Sequence, residues 1–271
     1  MIEYFLAFPL SIGIGIIAAI VGLGGGFLYV PTLSLIFGLD PKTAIGTSLA
    51  IMIFSSLSAS FWYRKQGVIL YNVAFILIIP SMIASVLGSF ITTFVDARIL
   101  VAIFCIMLGM ISTEMLIPSF KFLSKIQIGP SFVLETRVGQ QGANLVGRIW
   151  YSHLIFWGFI GGLLSGVTGT SGGVIFVPAL VTAGIPVHYA VATSMFTIIV
   201  VSITGATTHA TLGQIAWPYV AVYGAGAAFG AFVGAHIAPQ IKETQIKKIL
   251  GVLLLFIAVL MFQQKVLTGL P

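Results

Sequence analysis

A glycine-rich stretch that occurs twice constrains this chain more than any other feature. Residues 21–31 read Val-Gly-Leu-Gly-Gly-Gly-Phe-Leu-Tyr-Val-Pro, and residues 168–178 read Thr-Gly-Thr-Ser-Gly-Gly-Val-Ile-Phe-Val-Pro. With Pro31 set on Pro178, Gly22, Gly25, Gly26 and Val30 meet identical residues. Farther on, Ala44-Ile45-Gly46-Thr47-Ser48 falls on Ala190-Val191-Ala192-Thr193-Ser194, and Gly67-Val68-Ile69 falls on Gly213-Gln214-Ile215. Half a chain is too long a period for a solenoid, so the chain reads as two pseudo-symmetric halves.

The solvent for most of the surface is lipid. Of 271 residues, 59% are hydrophobic and 7% charged, against roughly 25% charged in soluble domains. The basic residues are scattered and form no basic face, so nucleic acid is a poor explanation for the positive charge and is not expected as a partner. Cys105 is the one cysteine, so there is no internal disulfide. The N-terminus, Met-Ile-Glu-Tyr-Phe-Leu, has no basic n-region and reads as the start of the first membrane segment.

A spanning helix needs about 20 apolar residues. Residues Tyr4–Ile20 and Phe27–Gly38 fall short and form a glycine-broken helical hairpin. Fuller spans follow at Thr43–Tyr63, Asn72–Phe94 and Ile99–Ile117. The second half repeats the plan at Tyr151–Val167, Gly173–Gly184, Tyr189–His209, Trp217–Ala238 and Ile246–Phe262. The expected fold is an all-α integral membrane protein: a first repeat over 1–117, a cytoplasmic linker over 118–150 and a second repeat over 151–271. Each repeat is a hairpin plus three transmembrane helices. Whether the hairpin crosses or re-enters, a half crosses an odd number of times. The second half then starts on the opposite face, and the repeats are inverted, as in many secondary transporters.

Nine of the twelve Lys and Arg residues fall on one side: Arg64, Lys65, Lys121, Lys125, Arg137, Arg148, Lys242, Lys247 and Lys248. Lys42, Arg98 and Lys265 fall on the other. The positive-inside rule makes the richer side cytoplasmic and puts both termini outside the cytoplasm.

Glycine-interrupted half-helices at matching positions mark a transporter's site. Helix starts expose unpaired N–H groups and a partial positive charge, and glycine lets a ligand come close. Two of them facing each other would cradle an anion without a formal charge. The candidate substrate-binding residues are Gly24, Gly25 and Gly26 with Thr47 and Ser48, and Thr170, Ser171, Gly172 and Gly173 with Thr193 and Ser194. The competing reading is packing, since small residues four apart let membrane helices touch. Gly158-Gly162-Gly166 and Gly226-Gly230-Gly234 are packing faces on that pattern. The second hairpin is the more polar: Thr168, Thr170 and Ser171 replace Val21, Leu23 and Gly24.

Of the six acids, five fall at segment ends and Glu135 in the linker. Carboxylates within a membrane mark cation paths, so their positions favour an anionic or neutral cargo. His209, at the end of its span and aligned with Tyr63, is the candidate for proton coupling. No metal-ligand spacing, cofactor motif or nucleophile–base pair is readable, so neither metal, cofactor nor enzyme activity is expected.

The segments Gly22–Pro31, Ala44–Ser48 and Gly67–Ile69, with their second-half counterparts, resemble the sulfite exporter TauE/SafE family over nearly the whole chain. The resemblance implies a small inner-membrane permease that exports sulfite, sulfoacetate or other organosulfonates. The second motif departs from the family pattern at Thr170-Ser171. A small anion and membrane lipid are the expected partners, and a homodimer is compatible with the sequence. A channel-like anion pathway and a non-transporting membrane scaffold remain as alternative functions.

Overall fold

The computed structural model describes residues 2–116, 133–136, 147–183 and 185–242, and scattered positions between 244 and 263. The first half contains α1 (Ile2–Val21), α2 (Gly26–Pro31), which a π-helical turn extends over Thr32–Ile36, α3 (Pro41–Gln66), α4 (Tyr71–Phe94) and α5 (Ala97–Leu116). In the linker, β1 (Val133–Thr136) and β2 (Gly147–Trp150) pair antiparallel, Val133 opposite Trp150. The second half contains α6 (Tyr151–Thr168), α7 (Gly173–Thr182), α8 (Val187–Thr211) and α9 (Trp217–Ile237), closed by a 3-10 turn over Ala238–Gln240. The rest of the linker and of the expected last span lies outside the described residues.

The protein is an all-α integral membrane protein. Among the described residues, α3, α4, α8 and α9 with its 3-10 turn are each long and apolar enough to cross a bilayer. The apolar part of α1, Leu6–Val21, is shorter than these spans. At about 1.5 Å per residue, the arm from Gly26 to Ile36 covers about half of the roughly 30 Å of a hydrocarbon core. Phe37, at the end of that arm, packs on Tyr219 in the first turn of α9. Phe8, near the start of α1, lies beside Gly226, also in the first half of α9. The hairpin therefore enters and leaves by one end of the bundle.

Local signals set the long helices. Asp40 caps α3, its carboxylate accepting from the N–H groups of Lys42 at 3.0 Å and Thr43 at 3.4 Å, and Pro41 occupies the first turn. Asp96 accepts from the Arg98 N–H at 2.8 Å, just before α5. Both acids sit at segment ends as helix-start acceptors. Along α4, Phe75, Ile79, Ile83, Leu87 and Phe90 are exposed, an apolar stripe at helical spacing that faces lipid.

The halves interlock. α1 lies along α9, and α6 lies along α4. Gly226, Gly230 and Gly234 of α9 abut Ser11, Ile12 and Ile16 of α1 in that order, so these helices run parallel. Gly158, Gly162 and Gly166 of α6 follow Leu77, Ser81 and Ser85 of α4 in the same way. A Cβ on any of these six glycines would meet the neighbour's side chain or backbone closely, as small-residue packing in membranes requires. Between them, α3 and α8 cross in opposite directions: Gly46 meets His209, whereas Leu49, farther along, meets Gly205.

Candidate functional site

The two glycine runs fold into the tips of the two hairpins, and the tips meet at the centre. Gly25 closes the first tip with φ 94° and Gly172 the second with φ 69°, a left-handed backbone that glycine adopts freely. A Cβ at Gly26 would collide with the Gly169 carbonyl oxygen, and one at Gly173 would stand 2.9 Å from that of Gly22. Close approach of one tip to the other thus accounts for both glycines. Every candidate residue from Gly24 to Gly26, from Thr170 to Gly173, and at Thr47, Ser48, Thr193 and Ser194 is buried.

The hydroxyls tie each tip to the other half in matched pairs. Ser48 of α3 shares its proton between the Ile45 carbonyl of its own helix at 2.8 Å and the Gly169 carbonyl at 2.9 Å, and Ser194 of α8 donates to the Gly22 carbonyl at 2.9 Å. Thr47 accepts from the Ala216 N–H at 2.9 Å, and Thr193 from the Leu70 N–H at 3.0 Å. The four residues that the repeat singles out therefore hold halves together through backbone groups at equivalent places.

The match fails where the halves differ in sequence. Ser171 shares its hydroxyl proton between the Thr170 carbonyl and, at 2.9 Å, the Leu23 carbonyl, and Thr168 donates to the Leu164 carbonyl at 2.6 Å. The Thr168 proton is then occupied, so Thr170 is the donor in the 2.9 Å contact between their hydroxyls. Ser171 is the one non-glycine with positive φ, 68°, among the described residues, a conformation that costs an L-residue roughly 1 kcal/mol. Its counterpart Gly24 has φ 71°, and a Cβ there would stand 2.5 Å from the Ser171 hydroxyl. Only one side chain fits where the tips touch. Ser55, which sequence reasoning did not single out, reaches the Gly24 carbonyl at 3.1 Å; Val201 occupies the corresponding place in the second half.

The amides are different. Among the described residues, no acceptor pairs with the N–H groups of Gly24, Gly25 and Gly26, or with those of Ser171, Gly172 and Gly173. Buried backbone N–H groups are paired in well over nine cases in ten. Two such clusters side by side are therefore a feature of the site, and part of each follows from the geometry of a helix start. No carboxylate opposes them: no Asp or Glu is among the buried side chains of the described residues.

His209 stands apart from the tips, packed against Gly46 of α3. Its Nε2 meets the Gly166 carbonyl at 3.1 Å and its Nδ1 the Gln214 amide at 2.7 Å. Tyr63 makes the equivalent bond in the first half, donating to the Ala19 carbonyl at 2.8 Å. The imidazole and the phenol thus serve matching places as ties between the end of a long helix and the hairpin beside it.

Comparison with known proteins agrees with this architecture. The family model described as Sulfite exporter TauE/SafE matches residues 7–261. Probable membrane transporter protein YunE of Bacillus subtilis is 30% identical over 265 residues, covering 93% of this chain and 96% of that protein. YdhB of the same organism is 28% identical, covering 90% and 96%. A probable membrane transporter protein of Methanocaldococcus jannaschii is 28% identical, covering 94% and 96%. No solved structure matches the chain. The relatives are named as transporters and not as enzymes. On its sequence, its spans and these matches, the chain belongs to the sulfite exporter TauE/SafE family and is a membrane transporter of that type.

Proposed function

We propose that the protein exports small sulfur-containing oxyanions, sulfite and organosulfonates such as sulfoacetate, across the inner membrane by alternating access. The observation that carries this reading is the double cluster of buried, unpaired N–H groups at Gly24–Gly26 and Ser171–Gly173. Such groups suit an oxyanion, whose several oxygens accept from N–H donors and whose charge strengthens each bond. The Ser and Thr hydroxyls at the tips already donate to carbonyls or to each other, so the amides make first contact with the cargo.

The antiparallel course of α3 and α8 supports inverted repeats, because equivalent helices that meet head to tail are related by an axis in the membrane plane. Each hairpin then reaches the centre from its own leaflet, and both termini lie outside the cytoplasm. Tips in contact close the path at its middle. Transport requires them to part around the cargo, one half rocking against the other.

Flux of labelled sulfite and sulfoacetate into proteoliposomes tests the reading. Saturable uptake with counterflow is expected. Flux linear in concentration would replace the carrier with a channel, and no flux with any sulfur oxyanion would leave a scaffold. Thr170→Val with Ser171→Ala is expected to lower flux several-fold; flux unchanged would remove the second tip's hydroxyls from the mechanism.

A further inference from the structure

Beside the first tip lies a polar pair that has no counterpart beside the second. Tyr29 of α2 and Tyr223 of α9 are both 0% exposed and stack edge-to-face with ring centroids 6.0 Å apart. The Tyr223 hydroxyl has no hydrogen-bond partner, and the Tyr29 hydroxyl has none in hydrogen-bond geometry, with the Ser55 side chain beside it. The Tyr29 ring lies over the tip: a Cβ on Gly25 would stand 2.6 Å from its Cε2 and 3.1 Å from Cζ, the carbon that bears the hydroxyl. The second half copies the ring and omits the oxygen. Phe176 aligns with Tyr29 and lies over Gly172 with Cζ 2.8 Å from the Cβ position, while Leu77 falls where Tyr223 stands. Packing alone is therefore satisfied by Phe and Leu. Phe37, at 5.9 Å from the Tyr223 ring, completes an aromatic wall on the first side.

A buried hydroxyl without a partner forfeits the hydrogen bonds it made in water, so this pair, with Tyr29 against the tip and Tyr223 behind it, calls for a ligand that accepts from both. We propose that Tyr29 and Tyr223 donate to an oxygen of the transported oxyanion while the amides of Gly24–Gly26 hold another. The cargo then binds off-centre, on the first hairpin's side, and the two tyrosines add specificity that the bare tips lack. This rests on the transport reading for the class of ligand.

Thermal unfolding of the purified full chain in detergent, with and without sulfite, sulfoacetate, sulfate or phosphate, tests it. The variants are Tyr29→Phe, Tyr223→Phe and both together. Without anion, each variant is expected to unfold at or above the wild-type temperature, because an unpaired polar group has been removed. With anion, the wild type is expected to shift upward in a saturable way, and each variant to need about tenfold or more anion for the same shift. Variants that unfold earlier without anion would show structural hydrogen bonds and overturn the inference. So would an unchanged anion requirement, or a wild type that no oxyanion stabilises. Proteoliposome flux judges the transport reading separately: flux with an indifferent tyrosine pair overturns this inference alone.

Discussion

At the scale of single residues, the contact between Gly24 and Ser171 shows how a duplicated sequence must break its own symmetry. Both positions adopt a left-handed backbone, and the Ser171 hydroxyl occupies the space that a side chain at Gly24 would need. Gly24→Ser is expected to destabilise the protein by about 1–3 kcal/mol through overpacking. Ser171→Gly relieves strain but loses the bond to the Leu23 carbonyl, and should lie within about 1 kcal/mol of wild type. The exchange variant, with both changes, should recover most of the stability lost by Gly24→Ser. A double-mutant cycle in thermal or chemical unfolding reads this directly, with a coupling of at least about 0.5 kcal/mol expected for residues in contact. Purely additive effects would mean that the tips do not touch. Position 171 was legible as a departure from the repeat, since Ser stands where the other copy has Gly. Its strain was not, because backbone conformation follows from the contact and not from the residue.

At the scale of elements, the hairpins are fixed by long helices from both halves. Ser48 and Ser194 make equivalent bonds to Gly169 and Gly22. Hydrogen bonds between membrane helices average about 0.6 kcal/mol, so Ser48→Ala and Ser194→Ala should each cost about 0.5–1 kcal/mol. Their structural equivalence predicts similar losses, and unfolding of each single variant and the double checks this. A loss confined to one of them would break the equivalence. These serines were readable from the sequence because the repeat aligned them. Ser55, Tyr29 and Tyr223 were not. Ser55 aligns with Val201, Tyr29 with Phe176, and Tyr223 lies far along the chain in a helix whose partner no local pattern names. The repeat made shared features visible and left one-sided features hidden. The hairpin arms were legible as short; that they return to the end by which they entered came only from the contacts of Phe8 and Phe37 with α9.

At the scale of the molecule, the opposed course of α3 and α8 fixes which ends share a side. In a Cys105→Ser background, Arg64→Cys and Lys242→Cys should be labelled by a membrane-impermeant maleimide only from the cytoplasmic side. Arg98→Cys should be labelled only from the other. All three residues are exposed. Labelling of all three from one side would refute the inversion. Composition alone placed the chain in lipid, and the repeat placed its halves. The choice of neighbours was illegible, because Gly158-Gly162-Gly166 and Gly226-Gly230-Gly234 are interchangeable as patterns and each fits any small-residue groove.

That choice of neighbours has a consequence for how the chain is assembled. Because α1 is completed by α9 and α6 by α4, neither copy of the unit can finish its own interior. Each copy needs its sibling as a template, as two subunits of an obligate dimer do. Two polypeptides produced separately by cutting within 118–132, once inserted in one membrane, should find each other and co-purify, whereas either alone should be degraded.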